Sequence, residues 1–131
     1  VAHFGPYKND ISVRISKVSD FISELDTVLK TAYPHWEVIW FGHIGDGNLH
    51  ISILKPADLS KEQFYKECQS VDQKLFAVIR KFSGSISAEH GVGLTKKKYL
   101  NYTRSDQEIE IMKSIKKIFD PDQIMNPGKL I

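Results

Sequence analysis

Two histidines bracket a glycine-rich turn in Gly42–His50, GHIGDGNLH. If Asp46-Gly47 forms a two-residue hairpin turn, Gly45 pairs with Asn48, Ile44 with Leu49 and His43 with His50. Directly opposed residues share a face, with Cβ atoms about 4.5–5.5 Å apart. Both imidazoles could then reach one metal ion at metal–nitrogen distances of about 2.0–2.1 Å. Ile44 and Leu49 would point the other way, into the core with Ile51. A one-residue bulge would upset this register. Asp-Gly also makes a good turn with no further purpose, and a lone histidine beside it would carry no weight. A cross-strand pair among Gly42, Gly45 and Gly47, where a ligand can approach the backbone closely, favours a site.

Glu89-His90 is the second constellation, ending a short expected strand and entering a glycine loop, HGVG. A carboxylate there could complete a two-histidine, one-carboxylate set for zinc or another divalent metal. The adjacent imidazole, with an ordinary pKa of about 6.5, suits a general base. Taken alone, Glu-His before glycine reads as an ordinary loop. Lys8, at the mouth of the first expected strand, could pair with a substrate carboxylate, although an exposed lysine is usually only a solubilising charge. Asn126, in NPGK, reads as a turn residue. Lys96-Lys97-Lys98 reads as a solvated face.

These residues must be carried by a regular framework. Ile11, Val13 and Ile15 alternate with polar residues, as in a half-buried strand. Ser16 can cap a helix running to about Ala32, stopped by Pro34, whose Val18, Phe21, Ile22, Leu25, Val28, Leu29 and Ala32 share one face. Trp36–Phe41 and Leu49–Leu54 read as strands on either side of the turn. Ser60 and Gln63 form a capping-box pair opening a long helix, with Phe64, Cys68, Val71, Leu75, Val78, Ile79 and Phe82 inward and Gly84 at its left-handed end. A short strand, Ser85–Glu89, follows. Ser105 and Glu108 open a last helix ending before Asp120-Pro121, and the tail is extended with turns. Strand, helix, strand, strand, helix, strand and a terminal helix make an α+β, ferredoxin-like antiparallel sheet with helices on one face. In that four-strand order Glu89 ends its strand on the side away from the His43–His50 turn.

With 131 residues the chain fits one domain, 1–131, around a single core. A net charge of +2, with basic residues spread among acidic ones, argues against a nucleic-acid partner. The one cysteine, Cys68, excludes an internal disulfide, and its place on an apolar stripe makes it a core thiol. No apolar run approaches the ~20 residues that cross a bilayer, and no signal peptide is present, so a cytoplasmic location is expected, with peripheral membrane contact left open. The start, VAHFGPYKND, lacks an initiator methionine and suggests a fragment.

Together, YKNDISV, GHIGDGNLH, SGSISAEHGVG and FDPDQIMNPGKLI resemble the carboxyl-terminal domain of FAD-linked oxidases, in the family's order and across nearly the whole chain. That family includes D-lactate, glycolate-oxidase-type and D-2-hydroxyglutarate dehydrogenases. The resemblance implies a substrate-side domain that oxidises a D-2-hydroxy acid to the 2-oxo acid with hydride transfer to FAD. It implies that His43, His50 and Glu89 hold a divalent metal, zinc being expected, that His90 is the base, that Lys8 binds a substrate carboxylate, and that Asn126 lies near the flavin. The partners implied are a small 2-hydroxy acid and an FAD-binding domain of the same protein, with a homodimer left open. No Rossmann glycine fingerprint occurs, so this chain alone is not expected to hold FAD or turn over. Arg14 stands where many relatives have proline. Ser52 stands where the D-2-hydroxyglutarate branch has asparagine, which counts against that substrate. Two other readings compete: a metal-dependent hydrolase in which Glu89 or His90 activates water, and a non-catalytic ferredoxin-like binding module.

Overall fold

The computed structural model describes residues 5–129. Its elements are β1 (Tyr7–Ser12), α1 (Val18–Ala32), β2 (Val38–His43), β3 (Asn48–Ile53), α2 (Lys61–Lys81) and α3 (Asp106–Phe119). Short 3-10 turns lie at Ile15–Lys17, Ile44–Asp46 and Lys97–Tyr102. Strand β3 sits between β1 and β2 and runs antiparallel to both. Strands β1 and β2, joined through α1, therefore flank the strand that follows them, which is the split β-α-β order of an α+β fold.

Alternation along the strands decides what each face carries. Ile11 on β1 and Leu49, Ile51 and Ile53 on β3 are buried in one core with Phe21, Leu25 and Leu29 of α1 and Phe64, Leu75 and Ile79 of α2. Burying each such side chain contributes about 1.5–3 kcal/mol, so this layer fixes which way the sheet faces. Helix α2 opens with the expected capping box: the Ser60 hydroxyl accepts from the Gln63 amide and the Gln63 side chain from the Ser60 amide, both at 3.1 Å. Cys68 is buried, and burial pushes its thiol up to about 12, as suits an inert core residue.

Several local expectations are corrected. Ser16 caps nothing; the chain tightens into a 3-10 turn closed by Lys17 N–H to the Arg14 carbonyl at 2.8 Å, and α1 starts at Val18. Ser83, not Gly84, takes the left-handed conformation after α2, with φ 53°. Gly84 is required for a different reason: a Cβ there would lie 2.5 Å from the Ser12 carbonyl oxygen and 2.8 Å from Val13 Cγ1. The fourth strand at Ser85–Glu89 reduces to a single bridge, Ser85 to Ser12. The Ser85 hydroxyl bonds the carbonyl and amide of Ser87, a local turn that competes with a ladder.

Helix α3 also opens on its expected capping box, Ser105 with Glu108. It buries no residue fully, and Ile111, Ile115, Ile118 and Phe119 are 50–76% exposed. In the tail, Asp120 accepts the amides of Ile124 and Met125, making turns; the expected extension over 130–131 lies outside the described residues. Among the described residues no helix is long and apolar enough to cross a membrane.

Candidate active site

The sheet face away from the core carries Lys8 and Asp10 from β1, Asn48, His50 and Ser52 from β3, and Phe41 and His43 from β2. In the hairpin, His43 opposes Asn48, Gly42 opposes Leu49, and Phe41 opposes His50. This differs by two residues from the expected pairing, because the connection takes four residues rather than two. Ile44–Asp46 forms a 3-10 turn closed by Gly47 N–H to the Ile44 carbonyl at 3.3 Å, Gly47 is left-handed at φ 76°, and Asp46 Oδ1 accepts the Asn48 amide at 3.1 Å. Ile44, expected in the core, falls in this loop and is exposed. Side chains alternate with period two, so a shift of two leaves both histidines on the same face. Their ring centroids lie 6.2 Å apart.

Strand β1 places Asp10 directly against His50. The row continues across the sheet to Phe41, whose ring stacks on His50 at 5.0 Å. Beyond Ser85 the chain leaves the sheet edge and folds over this open face. Ala88 N–H reaches the Asp10 carbonyl at 3.3 Å, and the Glu89 and His90 amides both donate to Asp10 Oδ2, at 3.0 and 3.1 Å. Glu89 thus arrives beside the histidines rather than on the far side, with Oε1 3.5 Å from His50 Nε2. His90 Nδ1 lies 3.0 Å from Asp10 Oδ2, and its side chain is 69% exposed.

One nitrogen of His43, one of His50 and one Glu89 oxygen all lie within 4.8 Å of one another. Donors around one ion at about 2.0–2.2 Å sit about 3.3 Å apart, so His50 and Glu89 stand at ligand spacing and the set fits a divalent metal after a small closure. Two imidazoles and a carboxylate leave coordination positions open for a substrate. Asp10, Glu89 and His90 form a second such group that shares Glu89. Burial alone would raise the Asp10 carboxyl; the Glu89 and His90 amides and the two imidazoles outweigh it and hold the group below its ordinary value.

A cleft of about 220 Å³ opens beside this cluster, lined by Lys8, Asp10, Phe41, His50, Ser52, His90, Gly91, Thr95 and Lys96 among others. Lys8 opposes Ser52, the rung next on this face after Asp10 and His50. Asn126 is not among these residues; with φ 47° it lines a groove of about 570 Å³ between α3 and the tail. Two residues of the site escaped the sequence. Asp10 shares the strand parity of Lys8, the one signal that pointed to it. Lys96, read as part of a solvated run, turns inward: its ammonium donates to the Ile86 carbonyl at 2.7 Å, and burial lowers its pKa.

Known proteins resemble this chain in sequence. The sequence pattern described as FAD linked oxidases, C-terminal domain, matches residues 2–130. The chain is 54% identical over 130 residues to the D-2-hydroxyglutarate dehydrogenase of Stutzerimonas stutzeri, covering 99% of this chain and 28% of that protein. It is 52% identical to the protein of the same name from Xanthomonas citri pv. viticola, with the same coverage. Against the D-lactate dehydrogenase of Anaerostipes hadrus it is 36% identical over 121 residues, 92% of this chain and 25% of that one. The chain thus spans under a third of the length of these curated relatives.

Proposed function

The chain belongs to the FAD linked oxidases, C-terminal domain, family, and from that premise we propose that it is the substrate and metal side of a flavin-dependent D-2-hydroxy-acid dehydrogenase. The observation that carries this reading is the convergence of His43, His50 and Glu89 next to His90 and the Lys8 cleft. His43, His50 and Glu89 would hold the metal, and the donor set suits zinc. Such an ion lowers the pKa of a bound hydroxyl and fixes its orientation. His90, tethered through Nδ1 to Asp10, presents Nε2 as the base that takes the hydroxyl proton. FAD, held mainly by a domain outside this chain, would supply the acceptor for the hydride that leaves the substrate carbon. For Asn126, in the α3 groove, nothing in the cleft geometry supports a flavin contact.

Lys8 refines the substrate class. It stands two residues from Asp10 along β1, about 7 Å at the usual strand rise. A 2-hydroxy dicarboxylate can set its hydroxyl and first carboxylate at the metal cluster and its second at Lys8, which favours D-2-hydroxyglutarate despite Ser52. The Stutzerimonas and Xanthomonas relatives both bear the name of a dehydrogenase for that acid, in agreement with this choice. The test is the flavin absorption spectrum of the complete gene product, mixed anaerobically with D-2-hydroxyglutarate, D-lactate or glycolate. Rapid bleaching by D-2-hydroxyglutarate is expected. No bleaching by any 2-hydroxy acid would overturn the reading.

A further inference from the structure

We propose that Asp10 is the positioning residue of the histidine cluster: one buried carboxylate fixes the tautomer of His50 and His90 and holds the Glu89 loop in place. The part concerning metal rests on the reading of His43, His50 and Glu89 as ligands.

The geometry distinguishes the two nitrogens of His50. Nε2 faces Glu89 at 3.5 Å and Nδ1 faces Asp10 Oδ1 at 3.5 Å. A metal-binding histidine typically donates its second ring N–H to a carboxylate or carbonyl, which orients the ring and fixes its proton. Asp10 is the carboxylate in that place. Its Oδ1 is buried and has no hydrogen bond at present geometry, as expected of an acceptor awaiting a slight closure of the His50 ring. Its Oδ2 accepts from the Glu89 and His90 amides, and His90 Nδ1 lies 3.0 Å from it.

Asp10 is also an alternative metal ligand by proximity, with Glu89 and His90. Burial and bonding argue against that role. Asp10 is only 7% exposed, whereas the Glu89 side chain is 50% exposed, and turning Oδ2 to an ion would release two main-chain amides. A carboxylate so committed acts through its neighbours. It ties together a ligand side chain, the backbone of a second ligand and the imidazole that takes the proton.

The test uses the nearly isosteric variant Asp10→Asn in the full chain. Long-range ¹H–¹⁵N NMR, above the usual imidazole pKa range, reads where each neutral ring carries its proton. In the unsubstituted protein, Nδ1–H is expected on His50 and His90. The asparagine offers one acceptor oxygen where four groups compete, so a mixture with Nε2–H is expected in the variant. Zn²⁺ affinity, measured by chelator competition, should weaken about 10- to 100-fold while the stoichiometry stays at one ion, with the circular dichroism spectrum unchanged.

Unaltered tautomers together with unaltered Zn²⁺ affinity in a folded Asp10→Asn protein would overturn the proposal. So would outright loss of the ion, as severe as in His43→Ala, since Asp10 would then be a ligand. If the unsubstituted chain takes up neither Zn²⁺ nor Co²⁺, the metal reading fails, and the tautomer comparison still decides the role of Asp10. If Asp10→Asn does not fold, the unsubstituted protein alone decides: Nε2–H on His50 would refute the assignment.

Discussion

Replacing His43 and His50 together with alanine removes two of three proposed donors, and elemental analysis is expected to find no bound zinc or similar ion; unchanged metal content would disprove the ligand assignment. The role proposed for His90 belongs to a different step. A general base contributes about 10²–10⁴-fold to rate, so on that proposal His90→Asn is expected to slow flavin reduction in the complete gene product by that order while metal content is kept. The role proposed for Lys8 separates substrates rather than steps. Lys8→Met is expected to raise KM for D-2-hydroxyglutarate about tenfold or more and to leave that for D-lactate nearly unchanged, because only the dicarboxylate has a group to lose. Equal effects on both would rule Lys8 out as a specificity residue. The side chains that the fold brings together, His43, His50 and Glu89, were legible in GHIGDGNLH and SAEHGVG. Asp10 was not, since an aspartate on a strand's outer face is commonplace until the chain folding over it is known.

At the scale of the elements, the glycines of the hairpin divide by what surrounds them. A Cβ on Gly47 would lie 2.0 Å from the Val13 carbonyl oxygen at a left-handed backbone, whereas a Cβ on Gly45 meets nothing within 4 Å. Gly47→Ala is therefore expected to destabilise by about 1–3 kcal/mol, and Gly45→Ala to stay within about 0.5 kcal/mol, both read from urea midpoints. Comparable effects at the two positions would contradict this division of the turn. The helices and the two capping boxes were legible because their signals are local: apolar spacing, and a serine three residues before Gln63 or Glu108. The missing fourth strand was not. Whether Ser85–Glu89 pairs with an edge or bends over the sheet is decided by the Ser85 hydroxyl and the Asp10 carboxylate, a contact across 79 residues for the Glu89 amide.

For the molecule as a whole, the balance of buried charge sets how stability responds to pH. Asp72 on α2 is buried and accepts from the Tyr7 hydroxyl at 2.7 Å. Burial raises its pKa, with the hydrogen bonds of Tyr7 and Tyr99 opposing only in part. The folded state thus favours the protonated form, so stability present at acid pH is lost as pH rises from the ordinary aspartate range through the raised value. Asp72→Asn is expected to be more stable than the unsubstituted chain at neutral pH, with the advantage shrinking toward pH 3. An advantage that grows on acidification would refute the sign. The α3 face makes the opposite kind of statement. Ile118 is 76% exposed, so Ile118→Lys is expected to change the unfolding free energy by no more than about 0.5 kcal/mol.

The hairpin register behaves like a parity check in an error-tolerant code. Each strand position stores one bit, core or open face, and displacements by two residues preserve the message. An odd displacement would invert every bit at once, exposing Leu49, Ile51 and Ile53 and burying His50. Three apolar side chains make that error cost several kcal/mol. The loop between His43 and Asn48 can therefore change in length without scrambling which face the imidazoles occupy, so long as the core continues to read out the parity.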